Sequence, residues 1–420
     1  MNATASPAAR VVIALPYVAA ALWPLIPMLV QLAAVVPRGI AIGGRGPAIA
    51  LASVLGVTVA IAIAGMLAGW GPRAFTAPPL ALPLAALLGS QLLAAALGVF
   101  WQAGAFEIGS QIGDTIGFFA FWWTMRDERT RRGVLGTYLV SGILASAFAI
   151  ALTLSRHPPA EFAYEHGRAA GTFLQPNEFA GYLLFLIPVG LAQAAAPPAL
   201  RRLGYLAAAI GVGGLALSVS RAAWVGLLVG LPVLVARFGR RAVIIYSVCA
   251  VIAIVIGAVG FRDIAHDPSE NASRIAVWRG AVRMAERYAL TGIGPLNFSR
   301  VYPLLKVPDA AVDEVHAHDL PLNTLIENGV LGFGALVWIV VAGIKEARKA
   351  GERIAPEDRE RRLLYAAIAA GFLASAVQNT VDLVSTFVLL LCWPMLAIML
   401  ALGAPEPARS QSAETFRAAA

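Results

Sequence analysis

The sequence has few of the residues that build disulfide frameworks and metal centres. It contains 2 cysteines and 5 histidines among 420 residues. Cys249 and Cys392 both lie inside apolar segments, so they predict neither a disulfide framework nor a zinc motif. His316 and His318 are close in sequence, but the other histidines are scattered over polar loops and suggest no third metal ligand. We therefore expect no metal ion and no other cofactor.

Charged residues are also scarce, at 13% of the chain, whereas hydrophobic residues make up 59% and the mean hydropathy is +0.74. This composition excludes an ordinary soluble domain, and several apolar runs are long enough to cross a bilayer. We predict an all-α polytopic membrane protein in which residues 1–420 form one integral membrane domain. The apolar runs predict about twelve transmembrane helices, at 12–36, 47–70, 78–99, 104–125, 133–154, 178–196, 202–219, 222–238, 242–261, 320–343, 363–380 and 384–402.

The basic residues concentrate in alternate loops between the predicted spans. Lys and Arg cluster at 126–132, 201–202, 237–241 and 345–362, and the positive-inside rule places such loops in the cytoplasm. Both ends of the chain, including a short tail at 404–420, join that side. The net charge of +8 is therefore mostly a signal of topology, and the basic loops lack the interleaved aromatic residues of a nucleic-acid surface. We expect membrane lipids, and no nucleic acid, as partners.

One long polar segment, 262–317, lies on the opposite side of the membrane, and we interpret it as a catalytic loop. Within it, residues 273–287 have the periodicity of a helix. Arg274 falls on the apolar face of this helix. The other arginines fall on the wettable face: Arg279, Arg283 and Arg287. Because an unpaired buried charge is costly, Arg274 needs an anionic partner.

Arg274 is a candidate phosphate ligand. Asn271 and Ser273 are candidate capping residues, and they would place Arg274 in the first turn, where free N–H groups and the helix dipole favour anions. The alternative is that Arg274 pairs with a local acid such as Glu270 or Asp263 and only holds the helix in place.

Three further arginines extend the set of candidate substrate-binding residues. Arg279 lies in the same helix, Arg221 lies in a short turn between two spans, and Arg168 lies upstream of Asn177, a fourth candidate. Arginine side chains suit phosphate groups because they donate several hydrogen bonds from a planar fork. Arg221 could instead be an interfacial anchor beside Trp224, and Arg168 could simply be solvated.

His318 is the candidate catalytic residue. An imidazole has a side-chain pKa near neutrality, and His318 lies where the chain re-enters the membrane after the long loop, so we predict that it is a general base. His316 is a candidate substrate ligand. Two alternatives remain. Both histidines could bind a metal, which a strand would permit and a helix would not, or His318 could be a structural histidine at a helix start.

Polar residues continue into the span that follows His318. Asp319, Asn323 and Glu327 recur every four residues and form a stripe on one face of the predicted helix. Asp382 follows the span at 363–380. Polar residues inside a membrane usually face a cavity or a partner helix, so all four are candidate substrate-binding residues. Hydrogen bonding between helices is the alternative.

At these positions the chain resembles the O-antigen ligase and O-antigen polymerase superfamily of bacterial envelope glycosyltransferases. The similarity covers 168–334 in five ordered blocks: GTFLQPNEFAGYLLFLIPVGLA, SRAAWVG, SRIAVWRGAVRM, LTGIGPLNF and HAHDLPLNTLIENGVLG. The resemblance implies a GT-C-like fold in the bacterial inner membrane. It also implies transfer of a glycan from undecaprenyl diphosphate on the periplasmic side, without a nucleotide sugar or a metal.

Within the superfamily the chain is most similar to the ligases, whose acceptor is the lipid A-core. His318 and Asp319 are followed after nine residues by Gly329 and Gly332, which is the ligase spacing, although ligases usually have an amide or a hydroxyl at the position of Asp319. An O-antigen polymerase, which joins carrier-linked repeat units, is the alternative, because arginine–glycine spacings typical of polymerases also occur in the outer loops. A lipid-linked glycan transporter would also suit the number of spans and the intramembrane stripe.

The residues and the resemblance together predict a mechanism in which the diphosphate is the leaving group. Arginines hold it and stabilise its developing charge, while His318 deprotonates an acceptor hydroxyl. A single displacement with one base predicts inversion at the anomeric carbon.

Overall fold

The computed structural model describes residues 14, 17–25, 79–155, 167–173, 175–260, 268–308, 310, 314–380, 382 and 386–404. In this part of the chain the secondary structure is helical, without strands. A helix lies at each predicted span from 78–99 to 384–402, so the all-α prediction is confirmed for these residues. The predicted spans 12–36 and 47–70 and the tail 404–420 lie outside the described residues, except for 14, 17–25 and 404.

The helices follow the chain in this order: α1 Ala81–Leu97, α2 Trp101–Thr124, α3 Glu128–Leu154, α4 Pro176–Ala192, α5 Pro198–Ser218, α6 Arg221–Gly230, α7 Pro232–Val235, α8 Arg240–Gly260, α9 Pro268–Tyr288, α10 Phe298–Leu305, α11 Leu320–Arg353, α12 Arg359–Asn379 and α13 Thr386–Leu402. Short 3-10 helices lie between or before them, at Trp23–Leu25, Gly171–Phe173, Gln193–Ala195 and Ala236–Phe238.

Five helical segments of the described chain are long and apolar enough to cross a membrane: Glu128–Leu154, Pro176–Ala195, Pro198–Ser218, Arg221–Phe238 and Leu320–Arg353. Ala81–Leu97 and Cys392–Leu402 are shorter apolar helices. These segments support the prediction of a multi-pass membrane protein. The number of twelve spans and the GT-C-like arrangement stay predictions.

Helix α4 lies at the centre of the bundle. Its sequence is apolar on every side, and a helix of that kind is buried all round. Every residue from Glu178 to Gly190 is buried, and the helix packs against α5 and α12. Gly190 and Gly204 allow α4 and α5 to approach closely, because a Cβ on either glycine would meet the backbone oxygen of the other.

A second close approach aligns α6 with α12. Gly226 lies against the carbonyl of Ala374, and Gly230 lies against the carbonyl of Ala370, with no room for a Cβ at either glycine. The two helices therefore run antiparallel. As a result, the N-terminus of α6 at Arg221 lies beside the C-terminus of α12, at what we call the outer end of the bundle.

Ion pairs join helices at the opposite, inner end. Arg132 on α3 donates two hydrogen bonds to the Glu360 carboxylate on α12, at 2.9 and 2.7 Å, and Arg361 lies 3.6 Å from Glu128. Surface ion pairs of this kind contribute little free energy, but they show which loops are neighbours. The basic loops 126–132 and 345–362, predicted to lie on the same side of the membrane, meet here.

The long polar segment contains α9 and α10 and has its own small apolar core. The buried side chains of this core are Val277, Ala281, Met284, Ala285, Ile293, Phe298, Val301, Tyr302, Ala310, Ala317 and Ile326. Ile326 belongs to α11, so the segment packs on the outer half of that helix rather than standing free of it. The prediction of a helical loop is confirmed for its described residues.

Helix α11 is interrupted at Gly329, which has φ 67° and ψ −172°. This backbone region is open essentially to glycine alone. The loop after α9 completes the backbone hydrogen bonds at the break: Ile293 N–H donates to Ile326 O at 2.9 Å, and Gly294 N–H donates to Glu327 O at 3.0 Å. The Gly329 break thus attaches the loop to the helix that begins next to His318.

Helix α11 also extends beyond its predicted end at 343, to Arg353. The extension contains Lys, Glu, Arg and Ala, which are good helix formers, and Pro356 follows soon after it. The apolar pattern indicates where a helix leaves the membrane but not where it ends.

Candidate active site

At the outer end of the bundle, His318 lies between two carboxylates. Its Nε2 is 3.0 Å from Glu314 Oε2, and its Nδ1 is 3.4 Å from Asp382 Oδ1. The same Asp382 oxygen lies 3.8 Å from Arg274 Nη2. Three segments therefore meet here: the end of the long loop, helix α9 and the residues after α12. Arg274, His318 and Asp382, which are far apart in sequence, share one site.

The start of α11 positions the His318 backbone. Asp319 caps the helix, since its Oδ1 accepts the Leu322 N–H at 2.7 Å, and Asn323 Oδ1 accepts the Ala317 N–H at 3.0 Å. His318 has a φ of 53°, a left-handed conformation that is costly for a residue with a side chain. The two flanking hydrogen bonds hold it there. Asp319 and Asn323 thus have structural bonds, and their contact with a substrate stays a prediction.

Helix α9 presents Arg274 to this cluster, as the helical periodicity predicted. Arg274 is half-buried, next to the fully buried Val277 and Ala281. The other arginines of α9 are exposed: Arg279, Arg283 and Arg287. The predicted phase is therefore confirmed. Arg279 faces away from the buried side of α9, and its role as a substrate ligand stays a prediction.

The predicted start of this helix, with Asn271 or Ser273 as the cap, was wrong. The helix begins at Pro268, and proline suits the first helical position because the N–H it lacks would have no partner there. Arg274 therefore lies beyond the first turn, away from the free N–H groups that were expected to assist it. Any anion binding at Arg274 depends on the guanidinium itself.

Arg274 also has an ion-pair partner that is distant from it in sequence. Its partner Asp382 comes from the segment after α12, so Arg274 connects two distant parts of the chain. Asp263 and the Glu270 side chain lie outside the described residues. Asp382 is 7% exposed, and its Oδ2 has no hydrogen-bond partner among the described residues.

The two carboxylates change the charge of His318. Burial by itself lowers the pKa of His318, but the hydrogen bonds to Asp382 and Glu314 outweigh it and raise the pKa to about 9. The hydrogen bond to His318 in turn lowers the pKa of Glu314. The pKa of His318 therefore lies above the usual value for an imidazole, because neighbouring negative charges favour the imidazolium. Without substrate, His318 is a cation at neutral pH.

His316 has the opposite environment. Burial, and after it the charge of His318, lower the pKa of His316 to about 4. The two rings pack edge to face with centroids 4.4 Å apart, and His316 Nδ1 lies 3.3 Å from the His318 N–H. Residues 314–319 are not helical, so the rings do not diverge as they would on a helix. His316 supports the His318 backbone, and a contact with substrate stays a prediction.

A second group of polar residues lies at the same end of the bundle. Arg168 donates to Asn177 Oδ1 and to the Ser218 carbonyl, both at 2.9 Å. The Gln378 side chain donates to the Asn177 carbonyl at 3.0 Å, and the Gln378 carbonyl accepts the Asp382 N–H at 2.9 Å. Arg168 is therefore not simply solvated, and a chain of hydrogen bonds connects it to the Asp382 that holds His318.

Arg221 begins α6 in this second group. It is half-buried and follows Ser220, which occupies the N-cap position without a side-chain capping bond. The Ser220 hydroxyl is buried and has no hydrogen-bond partner among the described residues. A helix N-terminus and an arginine suit an anion, but the position also suits an interfacial anchor, so the role of Arg221 stays a prediction.

Glu327 lies deeper in α11 than the His318 cluster. It is buried, and its Oε1 lies 3.4 Å from the Phe298 N–H at the start of α10. The carboxylate thus helps to hold α10 on α11. A contact between Glu327 and the substrate stays a prediction.

Sequence reasoning missed Glu314, although it makes the shortest side-chain contact of His318. A signal was present, since an acid lies four residues before the histidine. That spacing brings two side chains together only on a helix or in a tight turn, and nothing in the sequence indicates such a turn at 314–318.

A family comparison covers part of the chain that forms this site. Residues 206–337 match the sequence model of the O-antigen ligase family. This segment runs from α5 into α11 and includes Arg221, Arg274 and His318, whereas Arg168 and Asp382 lie outside it. No curated protein matches the chain. The segment that carries His318 and Arg274 belongs to the O-antigen ligase superfamily, as the resemblance predicted.

Proposed function

We propose that the protein is an O-antigen ligase, which transfers a polysaccharide from undecaprenyl diphosphate to a sugar hydroxyl of the lipid A-core. The reaction takes place at the periplasmic face of the bacterial inner membrane, at the outer end of the bundle. The observation that carries the proposal is the contact of His318 with Asp382, which Arg274 also contacts. This contact supports the proposal, because the reaction needs a proton acceptor close to a group that binds the diphosphate.

The donor already contains its leaving group. Arg274 binds the diphosphate and stabilises the charge that develops on it as the bond to the anomeric carbon breaks. Arg221 and Arg168, at the same end of the bundle, extend the positive surface towards the rest of the donor. These charges remove the need for a metal ion or another cofactor.

His318 removes the proton of the acceptor hydroxyl. The oxygen then forms a bond with the anomeric carbon, the bond from that carbon to the phosphate oxygen breaks, and its electron pair leaves with undecaprenyl diphosphate. Asp382 orients the imidazole through Nδ1 and stabilises the imidazolium that forms. Because attack occurs opposite the leaving group, the configuration at the anomeric carbon inverts.

The family match supports the O-antigen ligase and polymerase family as a whole, and the spacing of His318 from Gly329 and Gly332 favours a ligase over a polymerase. A polymerase needs the same donor and the same type of base, so the acceptor distinguishes the two. The acceptor is the lipid A-core for a ligase and a second carrier-linked repeat unit for a polymerase.

The test is transfer by the purified protein in liposomes. The protein is supplied with undecaprenyl-diphosphate-linked glycan, with and without lipid A-core, in the presence of a chelator. A ligase gives glycan on the lipid A-core, with release of undecaprenyl diphosphate. Elongated carrier-linked glycan without lipid A-core would identify a polymerase, and movement of intact donor across the membrane without transfer would identify a transporter.

A further inference from the structure

Both ring nitrogens of His318 are occupied in the structure, Nε2 by Glu314 and Nδ1 by Asp382. A neutral imidazole has one N–H and one lone pair, so it donates to one carboxylate only, whereas an imidazolium donates to both. The arrangement therefore favours the cation. It leaves His318 without a lone pair that faces an acceptor hydroxyl.

The two carboxylates differ in how firmly they are held. Asp382 is 7% exposed, its N–H donates to the Gln378 carbonyl, and Arg274 lies beside its carboxylate. The Glu314 side chain is 20% exposed, and the adjacent Val315 is 65% exposed. Glu314 is therefore the carboxylate that an incoming group can replace.

We propose that Glu314 is a positioning residue that occupies the acceptor's place at His318 Nε2 and withdraws when the acceptor hydroxyl binds. This inference rests on the proposed function, because it assumes that His318 deprotonates an acceptor. While Glu314 is in place, its carboxylate keeps the imidazole protonated and oriented. When the hydroxyl replaces it, only Asp382 remains as a negative partner, the pKa of His318 falls, and Nε2 becomes free to accept the hydroxyl proton.

The arrangement has a consequence for the donor. A bound donor without an acceptor meets a protonated His318, which cannot activate water, so its glycan is not lost by hydrolysis. A water molecule has little binding energy with which to displace a charged carboxylate. The acceptor sugar has much more, since it makes several contacts.

A second polar group lies within electrostatic reach of Glu314. Tyr302 on α10 is fully buried, and its hydroxyl has no hydrogen-bond partner among the described residues. Burial, and after it the negative charge of Glu314, raise the pKa of Tyr302. When the Glu314 carboxylate leaves His318, it can accept a hydrogen bond from the Tyr302 hydroxyl instead.

The charged and titratable groups that face His318 come from each neighbouring segment: Glu314 and His316 from the loop, Asp382 from the end of α12, and Arg274 from α9. Glu314→Gln removes one negative charge and keeps the shape of the side chain. Glu314→Asp keeps the charge but shortens the side chain. Glu286, an exposed acid on α9, provides the matched control Glu286→Gln.

The first experiment measures the protonation of His318 without using activity. Diethyl pyrocarbonate reacts with neutral imidazole, and fragmentation of the modified peptide in the mass spectrometer distinguishes His318 from His316 and gives the extent of modification of His318 at each pH. In Glu314→Gln we expect the rise in reactivity to move to lower pH by about one unit or more, because loss of a paired opposite charge shifts a pKa by that order. Near neutral pH this equals an increase in reactivity of about tenfold per unit.

Glu314→Asp and Glu286→Gln should leave the profile close to that of the wild type. An unchanged profile in Glu314→Gln, or an equal shift in Glu314→Asp, would overturn the proposal. An unchanged profile would mean that the Glu314 carboxylate does not keep His318 protonated. An equal shift in Glu314→Asp would mean that lost packing alone explains the effect. Thermal unfolding in detergent verifies that each variant is folded.

The second experiment measures hydrolysis of undecaprenyl-diphosphate-linked glycan in liposomes without an acceptor. We expect faster hydrolysis in Glu314→Gln than in the wild type, and an equal or slower rate would contradict the proposal. If the wild-type protein transfers no glycan while the reactivity profile still shifts, the proposed function fails and the Glu314–His318 pairing stands. If transfer occurs and neither measurement changes, the positioning role of Glu314 fails alone.

Discussion

At the scale of single residues, His318 and His316 have neighbouring rings but opposite environments, and this separates their roles. His318 pairs with two carboxylates, while His316 is half-buried and its pKa is lowered by desolvation. His318→Ala should reduce glycan transfer by about 10²- to 10⁴-fold, the usual effect of losing a general base. His316→Ala should have a smaller effect, since Asp319 and Asn323 still hold the backbone. Equal large losses that an added divalent metal restores would indicate a metal site instead.

The pH dependence of transfer follows from the same pairing. The pH profile of kcat/KM for the acceptor reports the free enzyme, whose His318 pKa is raised to about 9. Because the base must be neutral, kcat/KM should rise with pH up to this value. The profile of kcat reports the complex, in which Glu314 has been displaced, so its rise should lie at lower pH. Coinciding profiles would mean that the acceptor does not replace Glu314.

Arg274 should contribute mainly to donor binding. Arg274→Ala removes charge-assisted hydrogen bonds of about 1.5–3 kcal/mol each and should weaken binding of an undecaprenyl-diphosphate analogue by roughly tenfold to a hundredfold. Arg274→Lys should restore little, because lysine lacks the planar fork that holds two oxygens. Arg283→Ala, on the exposed face of the same helix, is the control. The prediction fails if photo-crosslinking of the analogue decreases in Arg283→Ala and not in Arg274→Ala.

At the scale of secondary-structure elements, the break in α11 connects the long loop to the helix that positions His318. A Cβ at Gly329 would lie 2.7 Å from the Leu290 carbonyl oxygen and 2.9 Å from the Gly292 nitrogen. The break also exposes the Ile326 and Glu327 carbonyls to the loop amides. Glycine at position 329, in the spacing shared with the ligases, is therefore required by the backbone, since no other residue suits this conformation.

Gly329→Ala should detach the loop 289–294 from α11. The strained backbone alone costs about 1–3 kcal/mol, and the steric conflict adds to it, so we expect a lower unfolding temperature in detergent and faster tryptic cleavage at Arg287 and Arg300. Gly343→Ala on the same helix is the control, because nothing lies within 4 Å of its Cβ position. Equal stability of the two variants would mean that the break does not need glycine.

At the scale of the whole molecule, the polar clusters lie at opposite ends of one bundle. Arg132 and Glu360 meet at the inner end, whereas His318, Asp382 and Arg274 meet at the outer end. Since α12 spans from Glu360 to the residues before Asp382, the two ends are separated by the length of that helix. If the basic loops are cytoplasmic, the candidate active site faces the periplasm.

Single cysteines test this orientation in a background without Cys249 and Cys392. Ser299 and Ala355 are both exposed, one in the long loop and the other in the basic connector at the inner end. An impermeant maleimide added to intact cells with a permeabilised outer membrane should label Ser299→Cys and not Ala355→Cys. Lysed cells, in which both should react, provide the control. The reverse pattern would place His318 in the cytoplasm and exclude a periplasmic ligase.

Local sequence patterns determined the positions of many helices and the buried face of α9. Apolar runs predicted the helices from 78–99 onward, and the periodicity of α9 predicted that Arg274 faces inward while Arg283 faces solvent. These features depend on the chain's own hydrogen bonding and on hydrophobicity, which act over a few turns of helix. The start of α9 was predicted wrongly because both Pro268 and the later polar residues are acceptable helix starts, and a local pattern alone did not choose between them.

Only the tertiary structure decided the ionic state of the site. Asp382 and Arg274 are distant from His318 in sequence, and Glu314 approaches it only because residues 314–318 turn back outside a helix. A pKa depends on the charges within a few ångströms and on burial, and both are set by which segments pack together. The sequence therefore identified His318 as a candidate, whereas the packing of three segments around it determined that it is held as a cation.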